Sequence, residues 1–314
     1  MGKYLIDEHV HLIGCSPSVK DISDKIKTRE DTISFNSRFP ELYRARLTEE
    51  PIDTVADYIK AMDRHGITHA IIQQDVGKGT NDLVAETVKK YPDKFFGLIG
   101  FFGWDQPRNR RPHIPTEKEL AATREKAAEE VVRGVEELGL LGVSEFWPRS
   151  FTFEVHPEKI ARDMQPVMDV IAKYQIPIQI PTTWTQFPHN LHYGDPVWTD
   201  EIAYSYPEVP VILTKMGRGL HHFETALYVA IRNTNVYFDI VDSQPHHIRR
   251  AIDMIGAGRI MFGCDWCSTC RWVTVPSDTL TKHKKLLDDA NLSPSEREQI
   301  EWKTAAKVFR LNLQ

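Results

Sequence analysis

No stretch of this 314-residue chain approaches the roughly 20 consecutive apolar residues of a membrane-spanning helix, so no membrane partner is expected. There is no basic excess either. Lys and Arg total 39 against 44 Asp and Glu, and the net charge of -5 argues against a broad nucleic-acid surface. Met1-Gly2-Lys3 leads straight into the first apolar run, so no signal peptide is expected and a cytoplasmic location is the default expectation. Internal repeats, low-complexity tracts and linkers are absent. Only four cysteines occur, and a cytosolic protein should not rely on a disulfide. With those classes set aside, 41% hydrophobic and 26% charged residues describe an ordinary globular protein. Its length suits one large core, so residues 1–314 read as a single domain.

Strand-like and helix-like segments alternate along that length. The strands read as Tyr4 to His9, Thr68 to Gln73, Phe95 to Phe102 and Gly142 to Phe146. Four more follow: Pro177 to Ile180, Pro210 to Thr214, Val236 to Ile240 and Arg259 to Gly263. Pro51 opens a helix whose buried stripe is Ile52, Val55, Ala56, Ile59 and Met62, ending at Gly66. Further helices span about 82–91, 116–138, 157–174 with Pro166 inside, 277–290 and 294–309. Eight strands alternating with helices predict parallel pairing, an α/β fold and a (β/α)8 TIM barrel. Residues 13–50 form an insertion after the first strand, a candidate lid or homodimer contact.

The richest signal is Leu5-Ile6-Asp7-Glu8-His9-Val10-His11, an apolar run ending in two imidazoles spaced i, i+2. On a strand that spacing puts both rings on one face, and two aimed imidazoles suggest half of a metal site. The competing reading is a pair of satisfied surface histidines. In a barrel, chemistry sits at the C-terminal ends of the strands. Glu145 (fourth strand), Lys215 (sixth), Asp242 (seventh) and Asp265 (eighth) fall there with His9 and His11. Closure makes the first and eighth strands neighbours, bringing Asp265 towards the histidine pair.

Four further segments join that run: Pro210 to Gly217, Asn235 to Asp239, Arg259 to Trp266, and Trp302 to Phe309. Together they make the chain resemble the amidohydrolase superfamily, and within it the amidohydrolase-related branch. That branch includes aminocarboxymuconate-semialdehyde decarboxylase, lactonases and hydratases. The resemblance implies one divalent metal held by His9, His11 and Asp265, with zinc the first choice and manganese the second. It also implies a fifth-strand His ligand and a sixth-strand His near the substrate. This chain has Pro181 and Lys215 there, and Pro has no ligand to offer. His189 or His192 could replace the missing ligand, Glu145 could supply an oxygen, or the enzyme could work without metal, as some lactonases of the family do.

Around the mouth, Arg108 and Arg110 could recognise a carboxylate, and Trp184 and Trp266 belong to an aromatic group suited to a flat substrate. Cys15, Cys264, Cys267 and Cys270 all face the same end in a barrel. Reduced, pocket-lining thiols are the expectation, with thiolate metal binding and a redox pair as alternatives. The expected activity is hydrolysis of an amide or lactone bond in a small, carboxylate-bearing, cyclic or unsaturated substrate. Asp265 would act as base, Lys215 would steady an oxyanion, and Glu145 would stand in for a ligand or partner. Non-oxidative decarboxylation is the alternative, and a catalytically inactive binding barrel is a third reading.

Overall fold

The structure, a computed structural model, describes residues 3–14, 52–74, 81–100, 117–146, 157–182, 194–218, 220–267 and 279–313. In chain order it begins with β1 (Ile6–His11), β2 (Ile13–Gly14), β3 (Ile52–Asp53), α1 (Val55–His65), β4 (His69–Ile72), α2 (Asn81–Lys90) and β5 (Phe95–Gly97). Next come α3 (Glu117–Glu136), α4 (Pro157–Tyr174), β6 (Ile178–Pro181), α5 (Asp200–Ser205), β7 (Val211–Thr214), α6 (Leu220–Arg232) and β8 (Val236–Asp239). The last part holds α7 (Pro245–Ile255), β9 (Ile260–Met261), β10 (Trp266–Cys267), α8 (Thr279–Asp289), α9 (Pro294–Glu298) and α10 (Thr304–Val308). A single π-helical turn, Gln299–Lys303, separates α9 from α10. Among the described residues no helix is long and apolar enough to cross a membrane.

Strands β1, β4 and β5 pair in parallel, as do β6, β7, β8 and β9. Val143 joins these two arcs on one side by parallel bridges to Ile99 and Ile178. On the other side, the Glu8 N–H donates to the Phe262 carbonyl at 3.0 Å, and β10 pairs in parallel with Val10 and His11. The fold is the expected (β/α)8 barrel. Its fourth strand is reduced to the bridge at Val143, the third ends earlier than Phe102, and the eighth keeps only two ladder residues.

The segment after Pro51 departs from its expected helix. Ile52 and Asp53 instead pair antiparallel with Ile13 and Gly14, and the helix starts at Val55. Its buried face is Val55, Tyr58, Ala61 and Met62, while Ala56 is exposed. Val55 and Met62 keep the expected face, while Tyr58 rather than Ala56 turns inward, where its hydroxyl reaches Asp7. Of the insertion, only Ile13 and Gly14 are described, and residues 15–50 lie outside the described residues.

Two apolar layers result. The larger lies between strands and helices. The smaller gathers Ile6, Ile71, Leu98, Ile212 and Met261 from the strands with Ala305, Val308 and Phe309 from α10 and the residue after it. These strand residues precede the strand-end candidates by three or four positions (Ile6 before His9, Ile212 before Lys215, Met261 before Asp265). At about 3.3 Å per residue they form a floor roughly 10 Å below the mouth.

Strand β1 breaks alternation at one place. Ile6, Asp7 and Val10 pair with His69, Ala70 and Ile72, so β1 spends three steps where β4 spends two. One extra residue makes a bulge. Ile6 therefore joins the barrel interior, whereas Val10 packs in the helix-side layer. Past the bulge His9 and His11 take the interior face. Asp7 holds this distortion from outside: its carboxylate accepts from the Tyr58 hydroxyl at 2.7 Å, the Cys264 N–H at 3.0 Å and the His9 N–H at 3.4 Å. Burial pushes the Asp7 pKa up to about 6, against the lowering effect of the bonds from Cys264 and Tyr58.

Tyr58→Phe removes one donor from this buried carboxylate and leaves the packing in place. It should lower stability by about 1–3 kcal/mol, read as a shift in the urea midpoint at unchanged m-value. An unshifted midpoint would mean that Asp7 does not depend on this bond.

Candidate metal centre and active site

Six polar side chains converge at the mouth. His9 reaches in from the bulge, and its Nδ1 lies 2.7 Å from Asp239 Oδ2 at the end of β8. Asp239 Oδ1 accepts from the backbone N–H of Lys215 at 2.6 Å and of Val241 at 3.1 Å. A carboxylate meeting donors on both oxygens makes Nδ1 of His9 the protonated nitrogen, which leaves the Nε2 lone pair facing the site. His11 Nε2 lies 3.3 Å from it.

Glu145 and Asp265 complete the ring. Glu145 lies 3.6 Å from His9 Nε2 through Oε1 and 3.7 Å from His11 Nε2 through Oε2. Asp265 Oδ1 lies 3.7 and 3.5 Å from the same two nitrogens. The Lys215 ammonium donates to Glu145 at 2.6 Å and stands 3.5 Å from both Asp265 Oδ2 and His9 Nε2. The Thr214 hydroxyl also donates to Glu145, at 2.6 Å.

The charges are interdependent. Burial alone would raise Glu145, but Lys215 and then the His9 and His11 rings outweigh it and hold the carboxyl well below the usual range. Asp265 follows the same balance and is lowered to about 2. Burial would lower the Lys215 ammonium, yet Asp265, Glu145 and Asp239 push its pKa up. Below them Glu8 accepts from the Gln179 amide at 2.6 Å, and burial, then Asp239, raises its pKa well above the carboxylate range. Gly263 admits this packing: a Cβ there would lie 3.0 Å from His9 Cβ and 3.1 Å from Glu8 Oε1.

Backbone strain is concentrated at the same place. Lys215, Met216, Asp242 and Asp265 all have left-handed φ, at 66°, 44°, 50° and 51°. Non-glycine residues hold such angles only where their surroundings over-determine them.

A divalent cation fits this donor set. Ligand atoms of His9, His11 and Glu145 lie within 4.8 Å of one another, and Asp265 faces the same two nitrogens. Three carboxylates (Glu145, Asp239, Asp265) face one ammonium, an excess of two negative charges that one divalent ion would neutralise. Pro181 ends β6 with no ligand, and Glu145 supplies a donor instead.

Among residues singled out from sequence, His9, His11, Glu145, Lys215 and Asp265 come together. Asp242 turns elsewhere, with its carboxylate bound by Arg218 and Lys282. Trp266 stacks edge-on to Tyr58 at 5.2 Å, and its indole N–H points to Thr54 Oγ1. Cys264 is buried, and burial, then Asp7, raises its thiol pKa well above the ordinary value, so it is a neutral thiol rather than a thiolate ligand. Cys267 lies in β10. Cys15, Cys270, Arg108, Arg110, Trp184, His189 and His192 lie outside the described residues. Asp239, which meets the His9 ring and the Lys215 backbone, was not singled out from the sequence, although it is the last residue of its strand.

The model of the amidohydrolase family matches residues 6–311. The chain belongs to that family. A relative of this amidohydrolase is γ-resorcylate decarboxylase of Polaromonas sp. strain JS666, 23% identical over 334 residues, covering 87% of this chain and 91% of the relative. Among solved structures, an uncharacterised TIM-barrel protein of Bordetella bronchiseptica superposes with a TM-score of 0.65 at 18% identity, covering 98% of each chain. A dihydroxybenzoic acid decarboxylase of Polaromonas sp. JS666, solved with manganese and the inhibitor 2-nitroresorcinol, gives 0.63 at 18% identity, covering 99% of this chain and 98% of that one.

Two outcomes follow for this amidohydrolase. Asp239→Asn should free the His9 ring and weaken Mn2+ binding about 10–100-fold, measured by titration calorimetry; unchanged affinity would remove Asp239 from the site. Lys215→Met, in chelator, should cost about 3–5 kcal/mol at pH 7, because two buried carboxylates lose their counter-charge. Both carboxyls are depressed in the folded state, so the pair stabilises fully above the unfolded carboxylate pKa of about 4. That contribution fades as the pH falls from about 4 towards 2, and the gap between wild type and variant in urea unfolding should narrow there. A gap that stays constant with pH would contradict the ion pair.

Proposed function

We propose that this amidohydrolase removes a carboxyl group, as carbon dioxide, from a small aromatic or unsaturated acid. His9, His11, Glu145 and Asp265 would hold one divalent cation for it. The observation that carries this reading is the likeness, over 87% of the chain, to a relative named γ-resorcylate decarboxylase. It favours decarboxylation over amide or lactone hydrolysis. Manganese becomes the first choice over zinc, because the decarboxylase structure holds manganese and the donors are half carboxylate.

When bound, the cation supplies Lewis acidity towards substrate oxygens. The chain's own residues do the rest. Lys215, a fixed ammonium on the mouth floor, attracts the substrate carboxylate and orients it. An arriving anion also places like charge beside Asp265 and draws on the ammonium that keeps it ionised. Both effects favour the acid form of Asp265. That acid can deliver a proton to the ring carbon as the carboxyl carbon departs. Hydrolysis would ask something different of Asp265, namely a base for water.

Manganese-loaded protein should release carbon dioxide from γ-resorcylate or a related hydroxylated acid and, in heavy water, leave one deuterium on the ring. Asp265→Asn should slow this about 10²–10⁴-fold, and Lys215→Met about 10²–10³-fold. Oxygen-18 from labelled water appearing in a product carboxylate, without carbon dioxide, would overturn decarboxylation in favour of hydrolysis.

A further inference from the structure

Asp265 is held in a left-handed conformation, with φ 51°, by a device outside the ligand set. The residue preceding it is gripped at both ends. The Cys264 N–H donates to Asp7 at 3.0 Å, and the Cys264 carbonyl accepts from the Thr279 hydroxyl at 2.8 Å. Thr279 opens α8, and His283 one turn later secures it: the ring Nδ1 lies 2.7 Å from the Thr279 carbonyl. That contact requires Nδ1–H, so Nε2 is an acceptor, and it receives the backbone N–H of Asp242 at 3.1 Å. His283 is buried, and burial lowers its pKa, in keeping with a neutral ring. Asp242 is itself left-handed, at φ 50°. Thr279 and His283 thus tie the strained ends of the seventh and eighth strands to one helix.

We propose that Thr279 is a positioning residue for Asp265. Through the Cys264 carbonyl, its hydroxyl fixes the backbone that aims the Asp265 carboxylate at His9 and His11, and His283 keeps that hydroxyl in place. Asp7 alone would pin Cys264 at its nitrogen and leave the following peptide, with the Cys264 carbonyl, free to turn. The second grip removes that freedom. In its functional consequence the proposal rests on the metal reading above.

The test compares the metal-free full chain as wild type, Thr279→Val, Thr279→Ser and Thr68→Val, titrated with Mn2+ alone. Thr68 also donates its hydroxyl to a backbone carbonyl, that of Leu5 at 3.0 Å, but at the opposite end of the barrel. Thr279→Val should weaken Mn2+ binding about 10-fold or more, and Thr279→Ser should stay within about threefold of wild type. Thr68→Val should lose stability in urea with its Mn2+ affinity unchanged. Wild-type affinity in Thr279→Val, or an equal loss in Thr68→Val, overturns the proposal. If wild type binds no Mn2+, the metal reading fails, and crystal structures of wild type and Thr279→Val then decide the positioning role alone. An Asp265 carboxylate displaced from its 3.5 Å approach to His11 supports it, and superposable carboxylates overturn it. Thr279→Ala serves in the same comparisons should Thr279→Val fail to fold.

Discussion

The extra residue in β1 is the constraint on which the site depends. A strand that alternated strictly through Ile6 and Glu8 would carry Val10 into the barrel and turn His9 and His11 towards the helices. The bulge between Asp7 and Val10 reverses that parity, so that Glu8 and His9 both enter the interior. Burying polar groups in the first strand requires partners for them. Asp7 collects donors from α1 and from the segment after β9, Glu8 takes the Gln179 amide, and His9 takes Asp239. The distortion is thereby fixed from three other strands or helices rather than by β1 alone.

Lys215 plays the matching part in the electrostatics. Its ammonium stands between two carboxylates that would otherwise repel each other, while its own left-handed backbone is held by Asp239. Asp239 therefore serves two neighbours at once. It sets the His9 imidazole that faces the site and the turn that presents the ammonium, so ring orientation and charge balance are mechanically linked.

Much of this was legible in the chain because strand ends announce themselves. His9, His11, Glu145, Lys215 and Asp265 each follow an apolar run, and barrel topology brings such positions together. Asp239 and Asp242 show the limit. Both close the seventh strand, and choosing between them requires its exact end and facing, which side-chain chemistry does not encode; Asp242 belongs to Arg218 and Lys282. The bulge was hidden for a similar reason, since it is a property of pairing between β1 and β4. The helix expected from Pro51 was displaced because Ile52 suits a strand as well as a helical stripe, and pairing with Gly14 decided the matter.

The filled floor of the barrel bears on traffic through it. Ala305, Val308 and Phe309 pack beneath Ile6, Ile212 and Met261, stoppering the end away from the site. A stoppered barrel offers no rear exit, so whatever enters at the strand ends leaves the same way. Both products of the proposed decarboxylation would share that one opening.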